Sequence, residues 1–228
     1  MEREIDLKEI TDGKFYTAND MVKIGCNDCK GCSECCRVVE DTIILDPYDI
    51  YQLQCGTGMD FQGLMEGSIA LQVVDGIVQP NLNVRTDGSG CVFLSEEGRC
   101  TIHGYRPGFC RMFPMGRIYE GDDFKYILQV HECAYPNKTK MKVKKWIGIQ
   151  ELSKYEQYVR DWHALLRKVK EIIGKTENDT IVKNLNMYTL GQFYSKPYSI
   201  SDTKELQDFY PQFYERVKEA KAIIEAYR

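Results

Sequence analysis

Residues 26 to 36 read Cys26-Asn27-Asp28-Cys29-Lys30-Gly31-Cys32-Ser33-Glu34-Cys35-Cys36, five cysteines in eleven positions. Four follow one another at the Cys-x-x-Cys spacing, and the fifth is adjacent to the last. Two intervening residues make a tight turn that lets two thiolates converge on one ion. Three such steps in series, plus a vicinal pair, exceed what one tetrahedral ion can use. The run therefore implies a polynuclear site, or two sites sharing one stretch of chain.

The surrounding chain narrows the reading. It has 228 residues, a formal charge of -4 and a pI near 5.5, a balance that speaks against a dedicated nucleic-acid binder. Met1-Glu2-Arg3-Glu4-Ile5-Asp6 shows no basic region followed by an apolar one, so no secretory signal is read. No stretch approaches the roughly 18 apolar residues of a membrane span. The expected location is the cytoplasm, with no membrane partner. In a reducing compartment ten cysteines read as metal-binding or catalytic rather than as a disulfide framework.

The ten cysteines all precede residue 137, and the chain beyond that point is Lys-rich and helical in pattern. The expected fold class is α+β: a small cysteine-rich metal-binding domain with short hairpins over residues 1–136, packed against a helical C-terminal extension over residues 137–228. Cys36 to Leu45 has a β-rich look. Asp46-Pro47 signals a helix start, running to about Gly56. Asp75-Gly76 between apolar β-formers predicts a hairpin over residues 69–84. Two further strand pairs are expected, Cys91–Leu94 with Arg99–Ile102 and Met115–Tyr119 with Phe124–Val130. Trp146, Ile149, Leu152, Tyr155, Val159, Trp162, Leu165, Leu166, Val169 and Ile173 follow the spacing of an amphipathic helix. Helices are also expected across Ile181 to Leu190 and from Ser201-Asp202 to Ala226, the latter with Asp202 and Glu205 as a capping box. The alternating lysines from Lys138 to Lys145 read as a solvated linker.

Four more cysteines, Cys91, Cys100, Cys110 and Cys133, lie downstream. Cys110 sits in Arg106-Pro107-Gly108-Phe109-Cys110-Arg111-Met112-Phe113-Pro114, where Pro107 fixes φ and Gly108 allows close approach. Cys29 to Arg37 resembles the signature of the CxxCxxCC cysteine-cluster family, YkgJ-like proteins described as zinc- or iron-chelating. The second family element, Cys, a short Gly turn, Cys-x-Ile, then Arg-Pro-x-x-Cys-x-x-Phe-Pro, is matched by Cys91 to Gly98, Cys100-Thr101-Ile102 and Arg106 to Pro114. The resemblance spans about residues 26 to 135 and implies Cys29, Cys32, Cys35, Cys36, Cys91, Cys100, Cys110 and Cys133 as metal ligands, with Cys26 as a possible extra. Asp49 stands where such proteins tend to carry an acidic helix-start residue. Cys55 lies outside both motifs and reads as a buried small hydrophobe.

Eight thiolates suffice for two four-cysteine centres. Vicinal side chains point in different directions, which would let Cys35 serve one centre and Cys36 the other. The serial spacing favours an iron–sulfur cluster of the 4Fe–4S type, and two zinc sites satisfy the same count. His103 and His131 read as surface or supporting residues and His163 as structural. Arg37, Arg106 and Arg111 read as cations offsetting thiolate charge, with orientation of an anionic substrate as the alternative. Flagellin lysine N-methylases resemble the family in their cysteine region, which implies a methyl-transfer alternative on a protein substrate. A redox or electron-transfer component is a further one. No Walker loop, dinucleotide fingerprint, nucleophile elbow or zincin motif is present.

Overall fold

The computed structural model describes residues 7–30, 32–40, 42–203 and 206–227. Its elements are α1 (Leu7–Ile10), β1 (Met21–Gly25), α2 (Glu34–Arg37), α3 (Pro47–Thr57), α4 (Phe61–Met65), β2 (Ile69–Val74), β3 (Ile77–Leu82), α5 (Gly108–Met112), β4 (Met115–Glu120), β5 (Asp123–Leu128), β6 (Thr139–Lys142), α6 (Val143–Ile147), α7 (Leu152–Lys175), α8 (Asp179–Leu190) and α9 (Phe209–Glu225). The fold is mixed α+β, with short antiparallel pairs in the cysteine-rich region and helices towards the C-terminus, as the sequence pattern predicts. The strands pair as β1–β6, β2–β3 and β4–β5. Among the described residues no helix is long and apolar enough to cross a membrane. Two compact units emerge, each discontinuous in sequence: residues 1–40 with 84–160, and residues 41–83 with 161–228.

The first unit carries the cysteine run. Here β1 alternates as a half-buried strand should, with Val22 and Ile24 buried and Met21 and Lys23 exposed. It pairs with β6, Lys23 opposite Lys140 and Val22 opposite Met141. The lysine alternation from Lys138 to Lys145 is therefore not a linker. It is the outward-facing period of a strand, followed at once by α6, whose Val143 and Ile147 are fully buried. In β4–β5 the chain turns at Gly121, φ +66°. Arg117 of β4 lies 5.3 Å from the ring centres of both Phe124 and Tyr155 and donates to Tyr155 Oη at 2.9 Å. Trp146 belongs to α6 rather than to the long helix, because Gly148 at φ +66° ends α6. Its indole N–H is shared between the carbonyls of Met112 and Phe113, each at 3.1 Å.

Two strand expectations in this unit give way to turns. Of the expected β stretch from Cys36 to Leu45, Cys36 and Arg37 belong to the helical turn α2, and the described residues beyond it hold only an isolated bridge at Ile44. Cys91–Leu94 and Arg99–Ile102 make a tight loop whose ladder is one bridge, Leu94 to Cys100. The intervening turn is closed by Ser95 N–H to Arg99 O at 2.8 Å, and Thr101 N–H reaches Phe93 O at 2.9 Å.

The second unit is helical and aromatic. Asp46 and Asp49 cap α3 reciprocally, with Asp46 Oδ1 accepting from Asp49 N–H at 2.8 Å and Asp49 Oδ2 from Asp46 N–H at 3.1 Å. Asp75 and Gly76, φ +53° and +81°, close the β2–β3 hairpin in the expected register. Trp162, Phe193, Phe209 and Phe213 form its buried centre, with ring centroids 4.9 to 6.2 Å apart in successive pairs. The last helix starts at Phe209, and Glu205 of the expected capping box lies outside the described residues.

Asn186 of α8 ties this unit together. Its Oδ1 accepts from Val78 N–H at 2.7 Å, and its Nδ2 donates to Gly76 O at 3.0 Å and Val182 O at 3.1 Å. It is buried, so Asn186→Ala would strand hairpin backbone groups away from water. The expected loss is about 1–3 kcal/mol in urea unfolding.

Candidate metal centre

The strand β1 delivers the first thiol. An added Cβ at Gly25 would stand 2.3 Å from Thr139 Oγ1, so glycine is what lets β1 and β6 meet there. Cys26 comes next and is buried. The chain then enters a single 3-10 turn over Asn27–Cys29, closed by Cys29 N–H to Cys26 O at 3.2 Å. The next step repeats it, with Cys32 N–H to Cys29 O at 3.0 Å. The first two Cys-x-x-Cys steps are thus hydrogen-bonded turns, and the first brings Cys26 Sγ to 3.5 Å from Cys29 Sγ. The run ends in α2, where Cys35 Sγ and Cys36 Sγ are 4.0 Å apart. The vicinal sulfurs touch, yet their further neighbours differ: Cys29 and Cys110 act on Cys35, while Cys36 acts on Cys91 and Cys100.

The downstream cysteines join through the backbone. Cys91 N–H donates to Cys36 O at 2.8 Å. Gly90, at φ +116°, makes this approach possible, since a Cβ there would lie 2.3 Å from Cys36 O and 2.8 Å from Arg37 Cα. Arg85 accompanies it: its N–H donates to Gly90 O at 2.8 Å, and its guanidinium donates to Leu94 O. Cys100 is placed by the Leu94 bridge. Cys110 lies on α5, next to Arg111, whose guanidinium holds Arg106 O at 3.0 Å and also Gly104 O. Arg111 is thus a strut for the turn between Cys100 and Cys110.

Electrostatics link these sulfurs into one neighbourhood. Burial, then the Cys26 contact, pushes the Cys29 thiol up to about 12. Burial raises Cys91 to about 11, with Cys36 and Cys100 adding to it, and raises Cys100 as well. Cys35 is raised by its hydrogen bond to Cys36, then by burial and by the nearby Cys29 and Cys110. Cys36 goes the other way, to about 7, because Cys35 donates to it and Arg106 stands near. Arg106 also favours the thiolates of Cys29 and Cys100. Arg85 acts likewise on Cys91 and Arg99 on Cys100, whereas Arg37 bonds Ser33 Oγ at 2.9 Å on the surface.

Cys133 lies between β5 and β6, half-buried, with its carbonyl accepting from Lys138 Nζ at 2.6 Å. Cys55 belongs to the other unit, buried in α3. Asp49 serves the α3 cap. His131 is exposed, and His103 sits in the 3-10 turn His103–Tyr105. All ten cysteines are free thiols. Among the described residues no three Cys, His, Asp or Glu groups ring a common point closely enough for one ion. Two pairs of sulfurs stand close, Cys26 with Cys29 and Cys35 with Cys36. Two sulfurs bound at ~2.3 Å to a tetrahedral ion stand ~3.8 Å apart, and both close pairs fit that spacing. Sequence reasoning missed Arg85 and Gly90, although the Gly88-Ser89-Gly90 turn before Cys91 signals a close backbone approach.

Residues 28–134 match the CxxCxxCC family, described as "Putative zinc- or iron-chelating domain". The matched segment includes every thiol discussed except Cys26. No curated protein and no solved structure matches the chain.

Gly90→Ala would drive a methyl group into the Cys36–Arg37 backbone, which has no flexible end to yield. The expected result is a loss of more than about 2 kcal/mol in stability and at least a tenfold (~10-fold) weaker metal affinity by chelator competition. The raised thiols also set a pH dependence. Protonated in the absence of metal at neutral pH, they must release protons on binding, so apparent affinity rises as pH rises from about 6 to 9. Titration calorimetry in buffers of different ionisation enthalpy should show more than about one proton released per ion.

Proposed function

We propose that the thiols of Cys29, Cys32, Cys35, Cys36, Cys91, Cys100, Cys110 and Cys133 bind metal as the working centre of the protein, and that the bound species is zinc. The observation that carries the reading is the meeting of two cysteine-bearing segments around Arg106, stitched by the Cys91-to-Cys36 hydrogen bond. Thiolates at that density repel one another, and a divalent cation offsets the repulsion directly. The Cys35–Cys36 separation of 4.0 Å suits two sulfurs on a single ion. A cubane cluster instead spreads its cysteines over separate iron atoms.

An iron–sulfur centre of the 4Fe–4S type is the second reading. It is supported by the serial Cys-x-x-Cys steps, which resemble cluster-binding runs more than the divided pairs of zinc ribbons. In either case the residues do the same work. Cys29, Cys91 and Cys100 give up protons, Arg106 offsets the remaining negative charge, and Arg111 holds the Arg106 turn in place. Ten free thiols suit a reducing compartment, and a cytoplasmic location is part of this reading.

Metal analysis of protein purified without oxygen, with its ultraviolet–visible spectrum, tests both readings. Colourless protein with about one zinc ion or more per chain is the expected result. A brown protein whose visible absorbance bleaches on reduction replaces zinc with the cluster. Less than about one metal ion per chain overturns the proposal.

A further inference from the structure

Cys26 stands outside the family match, which begins at residue 28. Its burial alone says little, because buried cysteines commonly behave as small hydrophobes, and Cys55 in the other unit is buried too. Three observations separate Cys26 from Cys55. Its sulfur lies 3.5 Å from that of Cys29, within the spacing of two thiolates on one tetrahedral ion. The turn joining them holds two non-glycine residues in the left-handed region, Asn27 at φ +52° and Cys29 at φ +54°, a conformation that costs energy and collects at functional sites. The residue before it is held by a strand pair, where Gly25 packs against Thr139 without room for a Cβ.

We propose that Cys26 is a metal ligand of this chain, acting with Cys29 as a thiolate pair on one ion, and that the β1–β6 pair is the clasp that presents it. Both strands lie outside the matched segment. The clasp thus extends the domain's ligand set by one sulfur at its N-terminal edge. Binding costs each thiol its proton, which passes to solvent, and forms one sulfur–metal bond in exchange. The inference rests on the metal-centre reading and goes beyond its set of eight thiols.

The test uses the full chain loaded with cadmium-113. A proton–cadmium correlation spectrum of the unmutated protein identifies each cysteine whose β-protons couple to the metal, whatever any variant does to folding. Correlations from the β-protons of Cys26 and Cys29 to the same cadmium resonance are expected. Cadmium bound by other cysteines with none from Cys26 overturns the inference and leaves the metal-centre reading standing. Failure to bind cadmium, zinc or iron at all overturns both. In cobalt(II)-loaded protein, Cys26→Ser should lose part of the thiolate-to-cobalt charge-transfer absorbance and weaken cobalt binding at least about tenfold. Cys55→Ser should leave both unchanged. Equal spectra and affinities for the two variants would also sink the idea.

Discussion

The candidate site depends on one backbone contact, the hydrogen bond from Cys91 N–H to Cys36 O at 2.8 Å. The two cysteine-bearing segments are far apart in sequence and share no strand. This bond, with the absence of a side chain at Gly90, sets how near their sulfurs come. Once they are close, two opposing effects govern the thiols. Burial favours the neutral form and raises Cys29, Cys91 and Cys100, while Arg106 favours the charged form at Cys29 and Cys100. Burial wins at these three, so their protons stay until something of higher charge than one guanidinium displaces them. A divalent ion at bonding distance does so.

The supporting architecture is sparse in regular structure. Each sheet has two strands, and an isolated two-stranded pair is marginal in water. In the cysteine-bearing unit the pairs are stabilised by what packs on them: Arg117 between Phe124 and Tyr155, Trp146 on the carbonyls after α5, and Tyr126 exchanging backbone bonds with Tyr16 at 2.8 and 3.0 Å. The loop around Cys91 and Cys100 has two isolated bridges, Val84 to Cys91 and Leu94 to Cys100, and a few turn bonds. Sulfur–metal bonds would reinforce the Cys91 N–H to Cys36 O bond in tying that loop to the cysteine run, so metal binding under the proposed reading also contributes to folding.

Much of this was legible where a feature is local. Asp46-Pro47, Asp75-Gly76 and Gly121 each determine a cap or turn within a few residues, and the structure adopts them. The cysteine run likewise announced its turns, because an i to i+3 bond needs no distant partner. What escaped was non-local. Strand β6 looked like a charged linker because its alternation is meaningful only opposite β1, and Lys140 and Lys142 conceal a strand when read alone. Trp146 fits the helical period of α7 but is cut off by Gly148, whose left-handed conformation ends the preceding turn. Gly90 matters because Cys36 lies across from it, and the Gly88-Ser89-Gly90 turn signals a close approach without naming its partner.

Spacing along the chain and spacing in space favour different metal chemistries. Serial Cys-x-x-Cys steps point to a cluster run, and the vicinal pair suggested a division between two centres. A division requires Cys35 and Cys36 to diverge. On a helical turn their Cβ vectors differ by about 100°, yet the sulfurs sit 4.0 Å apart, with Cys35 donating to Cys36. Under the proposed reading, two sulfurs in that contact would serve a single ion together. Three-dimensional separation is the stronger criterion, because coordination is set by the distance between sulfurs and not by the count of residues between them. The same argument gives weight to the 3.5 Å pair at the start of the run, which a motif read from Cys29 onward leaves out.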